Sequence, residues 1–352
     1  MSRGLGIGLL SRGRVIGLGL TLLFLGLALH QVEPGELIAE FGRVNYLWLM
    51  PAALCTLAGY VLRTIRWQLI LNGAARAPFR TLFAVLMMGF ATNNLLPGRL
   101  GEFWRAYLLG RKRNVRKTVG LASVFVERIF DGLVLIALLG LVSRVVQLPS
   151  WGAEVQLLSA AVFLGAAGGL TVLLWMPGLG RRLFGLVISP LPAPIRAWAG
   201  GTFEAFLSGL EGLRRPGILP TAAVLSLSVW LLEGASYYML SRGVDLGLPQ
   251  GTDIPAMGLT LATINLGIMV PSAPGYVGTQ EFFGKAALGV FGVGAESALA
   301  MVIVAHAVQF ALVTGLGVLF FAREHLSPRS LAFVATTREL QPIAEAGSVR
   351  EA

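Results

Sequence analysis

Cysteine is nearly absent from this chain. Cys55 is the only one and lies in an apolar run, which excludes an intrachain disulfide and a thiolate metal site. Histidine is scarce too: His30, His306 and His325 are far apart in sequence and lack ligand spacing. No metal and no other cofactor is therefore expected. Charged residues make up 13% of the chain, about half the share of an average soluble domain. The formal net charge is +10, yet the arginines sit mainly in loops flanking apolar segments. That is the positive-inside pattern plus contact with anionic headgroups, and no nucleic-acid partner is expected. The sequence has no nucleophile motif, metal-ligand set or nucleotide loop.

Apolar residues fill the space that charge leaves. They are 55% of the 352 residues, with a mean hydropathy of +0.74, the composition of an integral membrane protein. Several runs reach the ~20 residues that a helix needs to cross the hydrocarbon core. Residues 15–29 read as an uncleaved first helix, because Ala28-Leu29-His30 is a poor small-residue cleavage site. Glu33, Glu36 and Glu40 then fall in an external loop, and 46–62 return to the cytoplasm, where Arg63, Arg66, Arg76 and Arg80 mark the flank. Residues 118–148 run outward, 155–175 return, 218–240 run outward, and 295–321 are the last crossing. Apolar residues recurring every three or four positions near 193–215 predict an amphipathic helix, on the cytoplasmic surface or packed on the membrane domain. Residues 1–322 read as one membrane domain and 323–352 as a poorly ordered cytoplasmic tail. The expected setting is a bacterial inner membrane with both termini cytoplasmic.

Two stretches break the pattern of plain spans. Asn93-Asn94-Leu95-Leu96-Pro97-Gly98-Arg99-Leu100-Gly101-Glu102-Phe103-Trp104-Arg105 places a Pro-Gly break, two arginines and a glutamate in a hydrophobic context. Charges at membrane depth are costly and persist where they face a cavity or a partner. Unwound backbone there needs protein or water to satisfy it. The limbs, 81–95 and 101–109, are too short to cross alone, and basic residues flank both. A hairpin dipping in from the cytoplasm is expected. The second stretch follows 254–270 and repeats the pattern. Pro97-Gly98, Gly101 and Glu102-Phe103 correspond to Pro274-Gly275, Gly278 and Glu281-Phe282, with Asn94 and Asn265 ahead of the breaks. By loop charge the second hairpin enters from outside. Paired broken segments of opposite direction mark an inverted repeat with a site near the membrane centre. The expected fold class is all-α and polytopic, with about six crossing helices plus two re-entrant hairpins.

Glu127-Arg128-Ile129-Phe130-Asp131 puts two carboxylates one turn apart on a helix face, where like charges repel. Arg128 is placed to pair with Asp131, and an arginine from elsewhere, Arg99 or Arg105, would relieve the rest. Glu281 and Lys285 stand at the favourable four-residue spacing. That pairing leaves Glu233 as a spare carboxylate, either a proton carrier or a residue hydrogen-bonded to Asn265 or Gln280. His306 and Gln309 are expected to bond between helices. The candidate substrate-binding set is Asn94, Arg99, Glu102, Arg105, Glu127, Arg128, Asp131, Glu233, Asn265, Glu281 and Lys285. Pro97, Gly98, Gly101, Pro271, Pro274, Gly275 and Gly278 form the hairpin breaks. The six charges from Arg99 to Asp131 balance, so a structural ion-pair lock and a substrate site are both open. Arg99 is the first choice for a lipid phosphate, since the planar guanidinium fork binds phosphate bidentately.

Asn94-x-x-Pro97-x-Arg99-x-Gly101-Glu102-x-x-Arg105, Glu127-Arg128-x-x-Asp131 and Pro271-x-x-Pro274-Gly275-x-x-Gly278-x-x-Glu281 resemble the lysylphosphatidylglycerol synthase transmembrane, or flippase-like, family. Members that fuse this membrane domain to a soluble aminoacyl-transferase domain make and expose aminoacylated phosphatidylglycerol in bacteria. Only a short tail follows Phe321 here, so the resemblance implies a stand-alone translocation domain rather than an enzyme, moving an anionic or phosphate-bearing lipid. One alternative is a membrane-embedded enzyme acting on a lipid-linked substrate, with Glu102 or Glu127 as general base. Another is a non-catalytic partner of a separate lipid-modifying enzyme.

Overall fold

In lipid, every backbone N–H and C=O must be satisfied within its own segment, which leaves the helix as the default for long apolar runs. The computed structural model describes residues 18–72, 74–96, 99–113, 115–269 and 274–324, and every regular element among them is helical. The described part of α1 is Leu18–Leu29. Then come α2 (Pro34–Arg43), α3 (Leu49–Leu71), α4 (Phe79–Leu95), α5 (Gly101–Arg113), α6 (Lys117–Val142) and α7 (Ser150–Trp175). They are followed by α8 (Pro177–Ile188), α9 (Ala193–Leu210), α10 (Ile218–Ser241), α11 (Asp253–Gly267), α12 (Thr279–Gly289) and α13 (Ala295–Arg323).

By length and apolar composition, Tyr46–Leu71 (α3 and the turn before it), α7, α10 and α13 can each cross a membrane. Helices α1 and α2 meet the same test only when taken together, as a pair bent by 79°. Helix α6 is as long as α7, 26 residues each, or ~39 Å. Glu127 and Asp131 of α6 are buried in the protein and Arg128 is half-buried; among the described residues four to five spans qualify by length and composition, against the six expected. The limbs of the two hairpins, α4–α5 and α11–α12, have 17, 13, 15 and 11 residues, short of a full span. The expected breaks Pro97, Gly98 and Pro271 lie outside the described residues. Around the others the backbone turns left-handed, at Arg99 (φ 54), Gly275 (φ 71), Tyr276 (φ 60) and Gly278 (φ 84).

The helices around the two hairpins pack in a matched pattern. Helices α3 and α10 run antiparallel at the centre. Asn45 N–H donates to the Gly243 carbonyl at 2.8 Å, Thr56 bonds Ser236 at 3.0 Å, and Arg66 donates to Ser226 at 2.7 Å. The other packings come in matched pairs: α4 lies along α13 as α11 lies along α6, and α5 on α6 as α12 on α13. Gly317 of α13 meets Ala91 and Met87 of α4, and Gly258 of α11 meets Val142 and Leu138 of α6. Glycine at these crossings lets backbones approach closely; a Cβ on Gly317 would lie 2.6 Å from the Met87 carbonyl. The helix packings around the two breaks thus match in the way an inverted repeat requires.

Helices α7, α8 and α9 stand outside the repeat. Phe184 and Phe203 stack at 4.0 Å between α8 and α9. Arg181 donates twice to Glu204, at 2.8 and 2.9 Å, and this hydrogen bonding holds the exposed Glu204 carboxyl below its usual range. Helix α9 packs on α6 through Ala205, Leu207 and Leu210 and leaves Trp198 exposed. The 193–215 segment is thus helical and packed on α6.

Candidate functional site

Charges cannot face hydrocarbon, so the charged turns of α3, α5, α6 and α10 point at one another. Arg66 is fully buried and donates to both carboxylate oxygens of Asp131, at 2.6 and 3.3 Å. It also lies 3.7 Å from Glu127. Arg105 donates to Glu127 at 2.6 Å and stacks on Trp67 at 4.1 Å. Arg63 sits between Asp131 (3.7 Å) and Glu233 (3.5 Å), over the Trp230 ring. Arg128 pairs with Asp131 at 3.2 Å, as its spacing predicts. Trp230 donates its indole N–H to Asp131 at 3.2 Å. This connected cluster holds four arginines and three carboxylates, so it carries one positive charge in excess.

The hairpin tips meet beside this cluster. Asn93 accepts the Gly101 N–H at 2.7 Å across the first break, and Asn94 donates to Thr314 of α13 at 2.9 Å. Arg99 donates to Glu102 at 2.9 Å and, at 3.4 Å, to the Ile268 carbonyl at the end of α11. It therefore bridges the two hairpins from a left-handed backbone position that costs a non-glycine residue energy. Between the tips lies a polar cavity of about 90 Å³, lined by Arg63, Asn94, Arg99, Arg128, Trp230, Asn265, Tyr276, Gln280, His306 and Gln309 among others. That is about three times the liquid volume of one water. The cluster lies near the midpoints of α6 and α10, so the cavity sits about halfway through the span. Among the described residues, eight buried side-chain atoms lack a hydrogen-bond partner, including Arg63 Nε, Arg128 Nε and Gln280 Nε2. Buried polar atoms are rarely left unpaired, and Arg128 and Gln280 line this cavity.

The expected set divides. Asn94, Arg99, Arg128 and Asn265 line the cavity, with Glu102 paired to Arg99. Arg105, Glu127, Asp131 and Glu233 form the cluster behind it. Exposure separates the arginines: the side chain is 24% exposed for Arg99 and 25% for Arg128, against 0% for Arg66 and 3% for Arg105. The expected Glu281–Lys285 pair does not form. Glu281 caps α12 by accepting the Gly278 N–H at 2.6 Å and bonds His306 at 2.6 Å. Lys285 instead donates to the carbonyls of Leu27 and His30 at the end of α1, where a helix C-terminus attracts a cation. Glu233 is not spare either. It pairs with Arg63 and accepts from Gln309 at 2.9 Å, rather than from Asn265 or Gln280. His306 and Gln309 do bond between helices, as expected.

Arg63 and Arg66 correct the reading that took them as a cytoplasmic flank. Helix α3 continues to Leu71, and both arginines turn inward. The usable signals are their three-residue spacing, which puts both on one face, and the lack of a breaker before Asn72-Gly73.

Residues 14–317 match the family model described as the lysylphosphatidylglycerol synthase TM region. The chain belongs to this family. It is similar to Glycosyltransferase AglD of Haloferax volcanii, with 27% identity over 86% of this chain and 53% of that protein. It is 28% identical to a UPF0104 membrane protein of Methanocaldococcus jannaschii over 44% of this chain and 62% of the relative. A UPF0104 membrane protein of Methanothermobacter thermautotrophicus is 24% identical over 82% of this chain and 88% of its own length. The chain thus spans little more than half of the first relative. No solved structure matches it.

Proposed function

We propose that this protein moves a phosphate-bearing lipid between membrane leaflets, with the headgroup passing through the cavity between the hairpin tips. The observation that carries this reading is the pair of accessible guanidinium groups, Arg99 and Arg128, facing a mid-membrane cavity beside a cluster with excess positive charge. Arginine's fork suits a phosphate, and a cluster that lacks one counter-charge gains from an anion. Arg66 and Arg105, fully enclosed, act as the lock that holds the hairpins in place. An inverted repeat supplies two arrangements of nearly equal energy, in which the hairpins open the cavity to one leaflet or the other.

Reconstituted vesicles test this with a fluorescent phosphatidic acid whose outer-leaflet fraction is quenched. Arg99→Ala and Arg128→Ala each remove a charged hydrogen bond worth ~1.5–3 kcal/mol, so lipid movement is expected to fall about 10- to 100-fold. Wild-type rates in both folded variants would refute the reading. The relative named a glycosyltransferase favours a second reading, an enzyme acting on a lipid-linked substrate. Glu127 is enclosed between Arg66 and Arg105, which argues against it as a base and leaves Glu102. Turnover of a lipid-linked sugar that is lost in Glu102→Gln would favour the enzyme.

A further inference from the structure

A second cavity lies against the first, and its chemistry is opposite. It is an apolar groove of about 600 Å³ between α6 and α10, floored by α11. Small residues make the space: Ala137 on α6, Ala223, Gly234 and Ala235 on α10, and Gly258 on α11. Its α6 wall runs from Phe130 to Leu141 and its α10 wall from Ala223 to Tyr238, ~17 and ~22 Å of helix, long enough for a hydrocarbon chain to lie along. Trp230 lines both cavities. Its indole N–H is turned to Asp131 and its ring lies under Arg63, so it forms the threshold between the charged cluster and the groove.

The matched packing gives this groove a counterpart on the other side, between α3 and α13 on α4. Aligning Asn94 with Asn265 pairs Phe83 with Ile254 and Phe90 with Leu261, and setting the Met87–Gly317 contact against Gly258–Leu138 pairs Phe320 with Leu141. All three aliphatic partners line the groove. On the other side, the three phenylalanines fill the equivalent place, with Phe83 edge-on to Phe320 at 6.0 Å and Phe90 edge-on to Tyr60 at 5.2 Å. One half of the repeat is packed shut with aromatic rings, and the other stands open toward the lipid.

We propose that this groove holds one hydrocarbon chain of the same lipid whose phosphate occupies the polar cavity. The proposal rests on the headgroup reading above and adds the chain site to it. The two cavities meet at Trp230, so a lipid that places its phosphate at Arg99 and Arg128 has its chain directed along α6 and α10.

Photo-crosslinking in nanodiscs tests the chain site with three probes, each carrying a diazirine on its hydrocarbon chain: phosphatidic acid, a prenyl phosphate and diacylglycerol. Both phosphate lipids are expected to label Leu133, Ala137, Leu227 or Leu231 at least tenfold more than diacylglycerol does. If one labels and the other does not, the chain type is identified and the groove stands. Ala137→Trp with Ala223→Trp, both at exposed positions, should remove groove labelling and leave diacylglycerol labelling of α7 unchanged, which reports a folded protein. Arg99→Ala with Arg128→Ala should reduce phosphate-lipid labelling to the diacylglycerol level. Equal labelling by all three probes would make the groove ordinary annular lipid and overturn the proposal. Selective labelling in a protein that moves no lipid would sink the transport reading and leave the chain site intact.

Discussion

Replacing Arg66 with methionine is the sharpest test of the division between lock and site. Arg66 donates to Asp131 at 2.6 and 3.3 Å and to Ser226 at 2.7 Å, with no exposed side-chain surface. Methionine fills similar volume but leaves Asp131 with Arg63 at 3.7 Å and Arg128 at 3.2 Å. Removing one member of a buried pair costs ~3–5 kcal/mol, mostly because the partner charge stays behind. Arg128→Met breaks one ion pair at the cavity wall, where the guanidinium is 25% exposed, and should cost only ~1 kcal/mol. Equilibrium unfolding in mixed micelles reads both values. Adding Asp131→Asn to Arg66→Met removes the carboxylate that has lost its two hydrogen bonds from Arg66, so the double variant should be more stable than the sum of the singles by ~1–3 kcal/mol. The reasoning fails if Arg66→Met is no less stable than Arg128→Met, or if the double variant is additive.

Three other outcomes follow from the geometry. Arg99 sits at φ 54, so Arg99→Gly should be more stable than Arg99→Ala by ~1 kcal/mol, although both lose lipid movement; equal stability would mean the site carries no strain. Gly101→Ala would place a Cβ 1.9 Å from the Gly89 carbonyl, so the first hairpin should not close and detergent-extracted protein should aggregate on size exclusion, whereas Gly289→Ala, with open space around it, should behave as wild type. On a Cys55→Ser background, cysteines at Arg76 and Arg113 should react with an impermeant thiol reagent from one side of the membrane, and those at Gln250 and Gly294 only from the other. Labelling of Gln250 and Gly294 from opposite faces would break the inverted repeat.

The sequence by itself determined the features that depend on neighbours along the chain. Long apolar runs become helices because lipid offers no other partner for backbone groups, and the Pro-Gly breaks divide two of them because their limbs cannot span. The four-residue separation of Glu127 and Asp131 already required an arginine from elsewhere. Which arginine came was decided by tertiary structure. Arg63 and Arg66 follow an apolar run as interfacial residues do, and only the packing of α3 against α6 and α10 turns them inward to three carboxylates. Lys285 is at ideal spacing for Glu281, yet α1 presents free carbonyls to it while His306 and the start of α12 claim the glutamate. The groove is decided the same way. Ile254, Leu261 and Leu141 look like any lipid-facing residues until the matched packing sets them against Phe83, Phe90 and Phe320, because a cavity is a difference in volume between helices that are distant in sequence.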